Sequence, residues 1–333
     1  MEKQPLVSII TPCYNCERYI QRYIDFIQKQ TYKNIELIFV NDGSTDKTEE
    51  ILNENKEVIE KSGMKFVYVY QKNKGLGGAI NTGLKYITGE YFTWCDSDNF
   101  YSEDYVKENV EFFENNPKCN IIRCGGNIVE EGDINKIIGT LGDGEREKNI
   151  KNLFYNAILE KDFHFGCVML RTSAFDKINP TREIYESREG QNWQLLLPML
   201  YHYDAYYIDK RMFTFVYRKD SVSNVTKQKG IEDKLKQIEE YKKILTTTIK
   251  GMNIPEEKRC LDMIEEKYNH VTLQIAKEYK NKELLEKQYQ ILKKNKILNK
   301  RDRIIYITAK NKLIDKLFNK YVEVRSKNVN RNG

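Results

Sequence analysis

The chain has 333 residues, with 55 Lys+Arg, 49 Asp+Glu, 40% hydrophobic and 12% aromatic side chains. That composition supports a sizeable core and excludes a disordered or fibrous chain, and no run approaches the ~20 apolar residues of a membrane-spanning helix. Residues 227–333 hold 27 Lys+Arg and 15 Asp+Glu, so a body of net −6 precedes a tail of net +12, which argues for two tasks and against a single nucleic-acid-binding surface. Met1-Glu2-Lys3-Gln4-Pro5 runs straight into a strand-like segment without a signal peptide, so a cytoplasmic location is expected. Seven scattered cysteines suit reduced thiols better than a disulfide framework. Cys13 and Cys16 form a C-x-x-C, but no second pair follows to complete a zinc site. Two small buried thiols are the plainer reading.

The first hundred residues alternate strand and helix patterns. Leu6–Ile10 is a short β-branched run, followed by a helix with Ile20, Tyr23, Ile24 and Ile27 on one face. Ile35–Val40 is a second strand, closed by Asn41-Asp42-Gly43-Ser44, and Asp46 with Glu49 reads as a capping box opening the next helix. Phe66–Tyr70 is a third strand, a helix spans about Leu76 to Tyr86, and Glu90–Cys95 is a fourth strand. This alternation predicts an α/β fold: a Rossmann-like, mostly parallel sheet flanked by helices, with ligands beyond the carboxyl ends of its strands. Residues 120–225 are mixed, with strands at Asn120–Cys124, Cys167–Leu170 and Met212–Tyr217 and an apolar helix over Trp193–Leu200. Beyond Gly230 a basic, mainly helical extension is expected, broken once by Pro255. The boundary between the two parts is placed at 226/227.

Asp96-Ser97-Asp98 follows the fourth strand. Two carboxylates two residues apart on a turn can converge on one hard cation, Mg²⁺ or Mn²⁺, which would bridge the phosphates of a leaving nucleoside diphosphate. Acidic turns are also common as solvated loops, so position matters. This one sits at a strand end, with a second acidic loop at Asp42.

Four segments, Val7–Asn15, Val40–Asp46, Asn73–Asn81 and Cys95–Asp98, occur in order and together resemble family 2 glycosyltransferases of the GT-A fold. The resemblance implies a transferase that takes a sugar from a nucleotide-diphosphate donor, with a UDP-sugar favoured, and inverts the anomeric carbon. It implies a hydroxyl acceptor such as a glycan or lipid-linked saccharide. Pro12 and Tyr14 would line the base, Asp42 would accept from the base N–H, Asp96 would contact ribose or metal, and Asp98 would ligate the metal. Gly75-Leu-Gly-Gly78 lacks the third glycine of a dinucleotide fingerprint, since Ile80 stands there. The glycines would let a helix N-terminus approach the diphosphate, with Lys74 as a charge partner.

Three departures from the family pattern bear on catalysis. Ile80 occupies a position where the family often has Arg. An acidic pair that opens a helix near residue 190 is replaced by Gln191-Asn192, whose amides cannot take a proton at neutral pH. Glu186 or Glu189 would then be the general base, with Gln191 and Asn192 binding acceptor hydroxyls; a merely charged loop is the alternative. Arg218 and Asp220, in a segment where the family has His at the fourth position, would contact the diphosphate and the metal respectively, or form a solvated turn. His164 would edge the acceptor site or simply pack.

The tail from 284 to 327 carries 13 Lys+Arg and four acids among Ile304, Ile305, Ile307, Leu313, Ile314, Leu317, Phe318 and Tyr321. It suits peripheral contact with anionic lipid on the inner membrane face. A helical bundle packed on the catalytic domain or, by self-association, on a second subunit, with solvated lysines outside, is the plainer reading. Two rivals to the transferase reading remain: a degenerate sugar-nucleotide-binding scaffold, motivated by Gln191-Asn192, and a nucleotidylyltransferase, which would need a Gly-rich basic loop that Thr11–Asn15 does not supply.

Overall fold

The computed structural model describes residues 4–142, 153–161, 167–219, 230–311, 313–317 and 320. It clusters into two compact units, Met1–Ser221 with Ile244–Pro255, and Val222–Lys243 with Glu256–Gly333.

The first unit is built on a nine-stranded sheet. Strands β1 (Val7–Cys13) and β2 (Ile35–Asn41) are buried along their whole length, as the near-continuous apolar runs of a sheet covered on both faces require. They pair in parallel with each other, with β3 (Lys65–Tyr70) beyond β2 and β4 (Tyr91–Trp94) beyond β1. Helices α1 (Ile20–Gln28), α2 (Thr48–Lys61) and α3 (Gly75–Leu84) are the crossovers. On α1 the buried face is Ile20, Tyr23, Ile24 and Ile27, the stripe read from their spacing.

Past β4 the sheet becomes mixed. Its order is β3-β2-β1-β4-β8-β6-β9-β5, with β7 paired to β6. Here β5 is Phe100–Tyr101, β6 Ile121–Glu130, β7 Asp133–Leu141, β8 Val168–Arg171 and β9 Ala205–Tyr217. Strand β8 runs antiparallel to β4 and β6, whereas β9 runs parallel to β6. Helices α4 (Tyr105–Asn115), α5 (Leu153–Leu159), α6 (Thr172–Ile178) and α7 (Gln191–His202) complete the unit, together with the end of α8 (Ile231–Gly251) from Ile244 onward.

Two expectations are corrected. Asp46 and Glu49 do not form a capping box: Lys47 is the N-cap of α2 and no side chain caps it. Instead Asp46 Oδ1 accepts from Thr48 N at 3.0 Å and Oδ2 from Glu17 N at 3.0 Å, while Glu17 Oε2 accepts from Lys47 N at 2.9 Å. The carboxylate is shared between the first residue of α2, through Thr48, and the neighbouring loop, through Glu17. Nor are all the thiols reduced: Cys124 and Cys167 form a disulfide with Cα atoms 5.7 Å apart. They lie next to the Arg123↔Val168 register pair of β6 and β8, close enough to bond without backbone movement. Cys13, Cys16, Cys95, Cys119 and Cys260 are buried free thiols.

The second unit contains α9 (Glu257–Glu278), α10 (Lys282–Lys294) and α11 (Lys300–Lys310), packed around Leu273, Ala276, Leu285, Leu292 and Ile305. Helix α11 opens with a capping box, Asn299 Oδ1 accepting from Asp302 N and Asp302 Oδ2 from Asn299 N. Ile304 and Ile307 are exposed. Among the described residues no helix is long and apolar enough to cross a membrane.

Candidate active site

The chain passes from β1 outward to β2 and β3, then returns to β4 on the other side of β1. Ligands bind in the crevice beyond such a reversal. Pro12 and Cys13 pair with Val40 and Asn41, and Ile10 with Trp94, so the turns after β1, β2 and β4 share one edge. Beyond β1, Tyr14 is 52% exposed, while Pro12 is buried. The next residue, Asn15, adopts φ 48° and is held there: its N–H donates to Ser44 Oγ at 3.0 Å and its Oδ1 accepts from Thr45 N at 2.8 Å. The tyrosine therefore projects from a turn locked to the β2 loop.

Asp42, 3% exposed, organises the next layer. Its Oδ1 accepts from Gln71 Nε2 at 2.6 Å and Lys74 N at 2.8 Å, and its Oδ2 from Gly75 N at 2.9 Å. The carboxylate thus holds the start of α3 and keeps one lone pair on Oδ2 for a further donor. The next two amides of the helix are also used: Leu76 N donates to Arg188 O at 3.3 Å and Gly77 N to Ser187 O at 2.9 Å. The glycines therefore admit the 187–188 backbone. A Cβ on Gly75 would lie 2.7 Å from Arg188 Cα, and one on Gly77 2.6 Å from Ser187 O. Ile80 is fully buried.

Asp96 and Asp98 flank the turn after β4. Each leaves its Oδ1 buried without a hydrogen-bond partner among the described residues. Arg218 Nη2 donates to Asp98 Oδ2 at 2.6 Å, and its guanidinium lies 4.5 Å from the Tyr19 ring centroid. Arg22 Nη2 donates to the Asp98 carbonyl at 3.1 Å. Burial, and then the charge of Asp98, push Asp96 up to about 7, with Arg218 opposing. Two buried hard oxygens, each without a hydrogen-bond donor among the described residues, are ligand types that a divalent cation takes. Among the described residues no group of three His, Cys, Asp or Glu side chains gathers to hold a metal. Asp220, expected as the third ligand, and His164 lie outside the described residues.

The loop before α7 forms the opposite wall. Lys74 Nζ and Glu186 Oε1 form an ion pair at 2.8 Å, joining two residues that the sequence reading placed in different roles. Glu189 is half-buried on the same loop, and Ser187 Oγ donates to its carbonyl at 2.6 Å. Gly190 takes φ 80° as the N-cap of α7, where Gln191 is buried and Asn192 Oδ1 accepts from Trp94 Nε1 at 2.8 Å. Sequence reasoning missed Trp94, counted only as strand filler although it stands two residues before Asp96. It also missed Gln71, Tyr19 and Arg22, which no motif marks.

This sheet order, with its paired acidic turn beyond β4, is the architecture of the GT-A glycosyltransferases. Residues 8–179, more than half of the chain, match the family profile described as glycosyl transferase family 2, and the chain belongs to that family. An uncharacterised glycosyltransferase of Rickettsia typhi is 41% identical over 128 residues, 38% of each chain. Glycosyltransferase GlyA of Streptococcus pneumoniae is 31% identical over 191 residues, 57% of this chain and 23% of its own. The chain thus matches well under half the length of these relatives. Among solved structures, Staphylococcus aureus TarS 1–349 in complex with UDP-GlcNAc has a TM-score of 0.59 at 18% identity, covering 94% of this chain and 83% of that one. Mannosyltransferase PcManGT of Pyrobaculum calidifontis, in complex with GDP-Man and Mn²⁺, has a TM-score of 0.53 at 15% identity, covering 92% and 86%. At these identities the likeness is one of fold.

Proposed function

We propose that the chain transfers a sugar from a nucleoside-diphosphate donor, a UDP-sugar in preference to a GDP-sugar, to a hydroxyl on a glycan or lipid-linked saccharide, with inversion. The observation that carries the reading is the pair of buried, unpartnered oxygens Asp96 Oδ1 and Asp98 Oδ1 at the reversal between β1 and β4. Those carboxylates, with Asp220, would hold Mg²⁺ or Mn²⁺, which supplies charge neutralisation to the departing diphosphate. Tyr14 and Pro12 offer the base an aromatic face and a buried floor, and the remaining lone pair of Asp42 Oδ2 takes a base N–H. Arg218 holds Asp98 in place and adds positive charge beside the phosphates. Glu186, paired with Lys74, and Glu189, half-buried on the same loop, are the two candidate bases in this reading, while Gln191 and the Asn192 amide N–H orient the acceptor. TarS in complex with UDP-GlcNAc, and the Pyrobaculum enzyme in complex with GDP-Man and Mn²⁺, support a nucleotide-sugar donor and a cation.

The test is nucleoside-diphosphate release from a panel of UDP- and GDP-sugars with acceptor extracts, with and without Mn²⁺. Cation-dependent release with one donor is expected. Tight donor binding with no release under any condition would favour the scaffold alternative instead. For the second unit, exposed Ile304 and Ile307 beside Lys300 and Arg303 on α11 support contact with anionic lipid.

A further inference from the structure

A second cleft of about 700 Å³ lies on the first unit, away from the paired carboxylates. Its floor is one stripe of α7, Gln194, Pro198 and His202, spaced four residues apart on a single helix face. Its walls are the end of α6 with Asn179, the 183–185 loop with Tyr185, and the last turn of α8 with Thr247 and Gly251.

The lining is mixed: Ile178, Ile184 and Met252 supply apolar surface beside polar groups of both charges. Tyr185, Tyr203 and His202 supply rings with polar tips, and Lys177, Glu183 and Thr247 supply both donors and acceptors. Gln194 fixes one wall, its Oε1 accepting from Tyr185 N at 2.7 Å and its Nε2 donating to Tyr185 O at 3.0 Å. Pro198 lies inside the helix and has no N–H to give the Gln194 carbonyl. Rings beside mixed donors and acceptors are what a polyhydroxylated ring system needs: its C–H faces pack on aromatics while its hydroxyls both donate and accept.

The stripe is also continuous with the candidate active site. Gln191, three residues before Gln194, stands on the same face at the head of α7. From there to His202 is about 16 Å of helix at 1.5 Å per residue, a length that spans several sugar units. The 183–185 wall runs directly into Glu186, Ser187 and Glu189.

We propose that this cleft is a saccharide subsite that holds units of the acceptor glycan remote from the reacting hydroxyl. The inference rests on the transferase reading for its role, but the subsite is testable as a binding site without turnover. Gly251 provides the means, because it lines the cleft and a Cβ there meets nothing within 4 Å, so Gly251→Trp adds bulk at the cleft without a clash at Cβ. Full-length wild-type and Gly251→Trp proteins, fluorescently labelled, would be applied to an oligosaccharide array, with UDP and GDP affinity in Mn²⁺ measured in parallel. The expected result is retention of at least one oligosaccharide class by wild type, weakened about 10-fold or more by Gly251→Trp, with nucleotide affinity unchanged. His202→Ala with Tyr203→Ala, which removes side chains instead of adding one, should give the same loss. Retention of no oligosaccharide by wild type, or equal retention by all the variants, would overturn the subsite. Glycan binding without nucleotide binding would uphold the subsite and overturn the donor reading.

Discussion

Replacing Gly77 by alanine sets two effects of opposite sign against each other. Gly77 lies in the first turn of α3, where alanine gains at most about 1 kcal/mol of helix propensity. Against that, the new Cβ would sit 2.6 Å from Ser187 O, 2.7 Å from Ser187 Oγ and 3.1 Å from Ser187 N. Two of those atoms are backbone, so no rotamer change relieves the contact and the 187–188 segment must retreat. Overpacking of this kind costs about 1–3 kcal/mol. Retreat also weakens the bonds from Gly77 N and Leu76 N to the Ser187 and Arg188 carbonyls, each worth about 0.5–1.5 kcal/mol. The clash wins, and a net loss of about 1–4 kcal/mol is expected. Both tryptophans, Trp94 and Trp193, lie in the first unit, so urea unfolding followed by tryptophan fluorescence reports on that unit. A fall in the midpoint is predicted. An unchanged or raised midpoint would refute the close packing of α3 on the 187–188 backbone.

Asp96 has its pKa raised by burial and by Asp98 to about 7 from 3.8. Its penalty on the folded state is therefore absent below pH ~4 and grows as pH rises toward 7. Asp96→Asn without added cation should then raise stability at pH 8 by at most about 4 kcal/mol, with the gain fading toward pH 4; an equal effect at both pH values in urea titrations would contradict this. Glu36 is fully buried, and although burial works to raise its pKa, hydrogen bonds from Ser8 and Thr88 and the Lys65 ammonium prevail and lower it. Its stabilisation is present above the ordinary carboxylate value and lost as pH falls through the lowered one, so Glu36→Gln should cost about 2 kcal/mol at pH 7 and flatten the acid limb of the stability profile. For α11, wild type should co-sediment with anionic vesicles and Arg303→Glu with Lys300→Glu should not; negligible binding by wild type would end the lipid reading.

Strands β1 and β2 were legible because they are buried on both faces and therefore spell near-continuous apolar runs. The helical stripe on α1 was legible for the matching reason at period 3.6. What the sequence hid is non-local. Asp46 was read as capping its own helix, but its second oxygen pairs with Glu17 across a loop. Cys124 and Cys167 are separated by 43 positions, and only the adjacency of β6 and β8 reveals them as a pair. Lys74 and Glu186 each carried a role in isolation, and their ion pair joins them across 112 positions. Gly75 and Gly77 looked like space for a phosphate, whereas the fold uses that space for the loop that carries Glu186 and Glu189. The turn at 96–98 was visible from residue type and strand position together, while Trp94, its link to Asn192, was masked by its role in a strand.

The most direct measurement is calorimetric titration of UDP and of GDP into the full-length protein, with Mn²⁺ and with EDTA, for wild type and Asp98→Asn. The account predicts that UDP binds wild type more tightly than GDP and only when Mn²⁺ is present, and that Asp98→Asn weakens it by about 10-fold or more, on the order of 1.4 kcal/mol. Binding of equal strength in EDTA, or an unchanged affinity in Asp98→Asn, would contradict it.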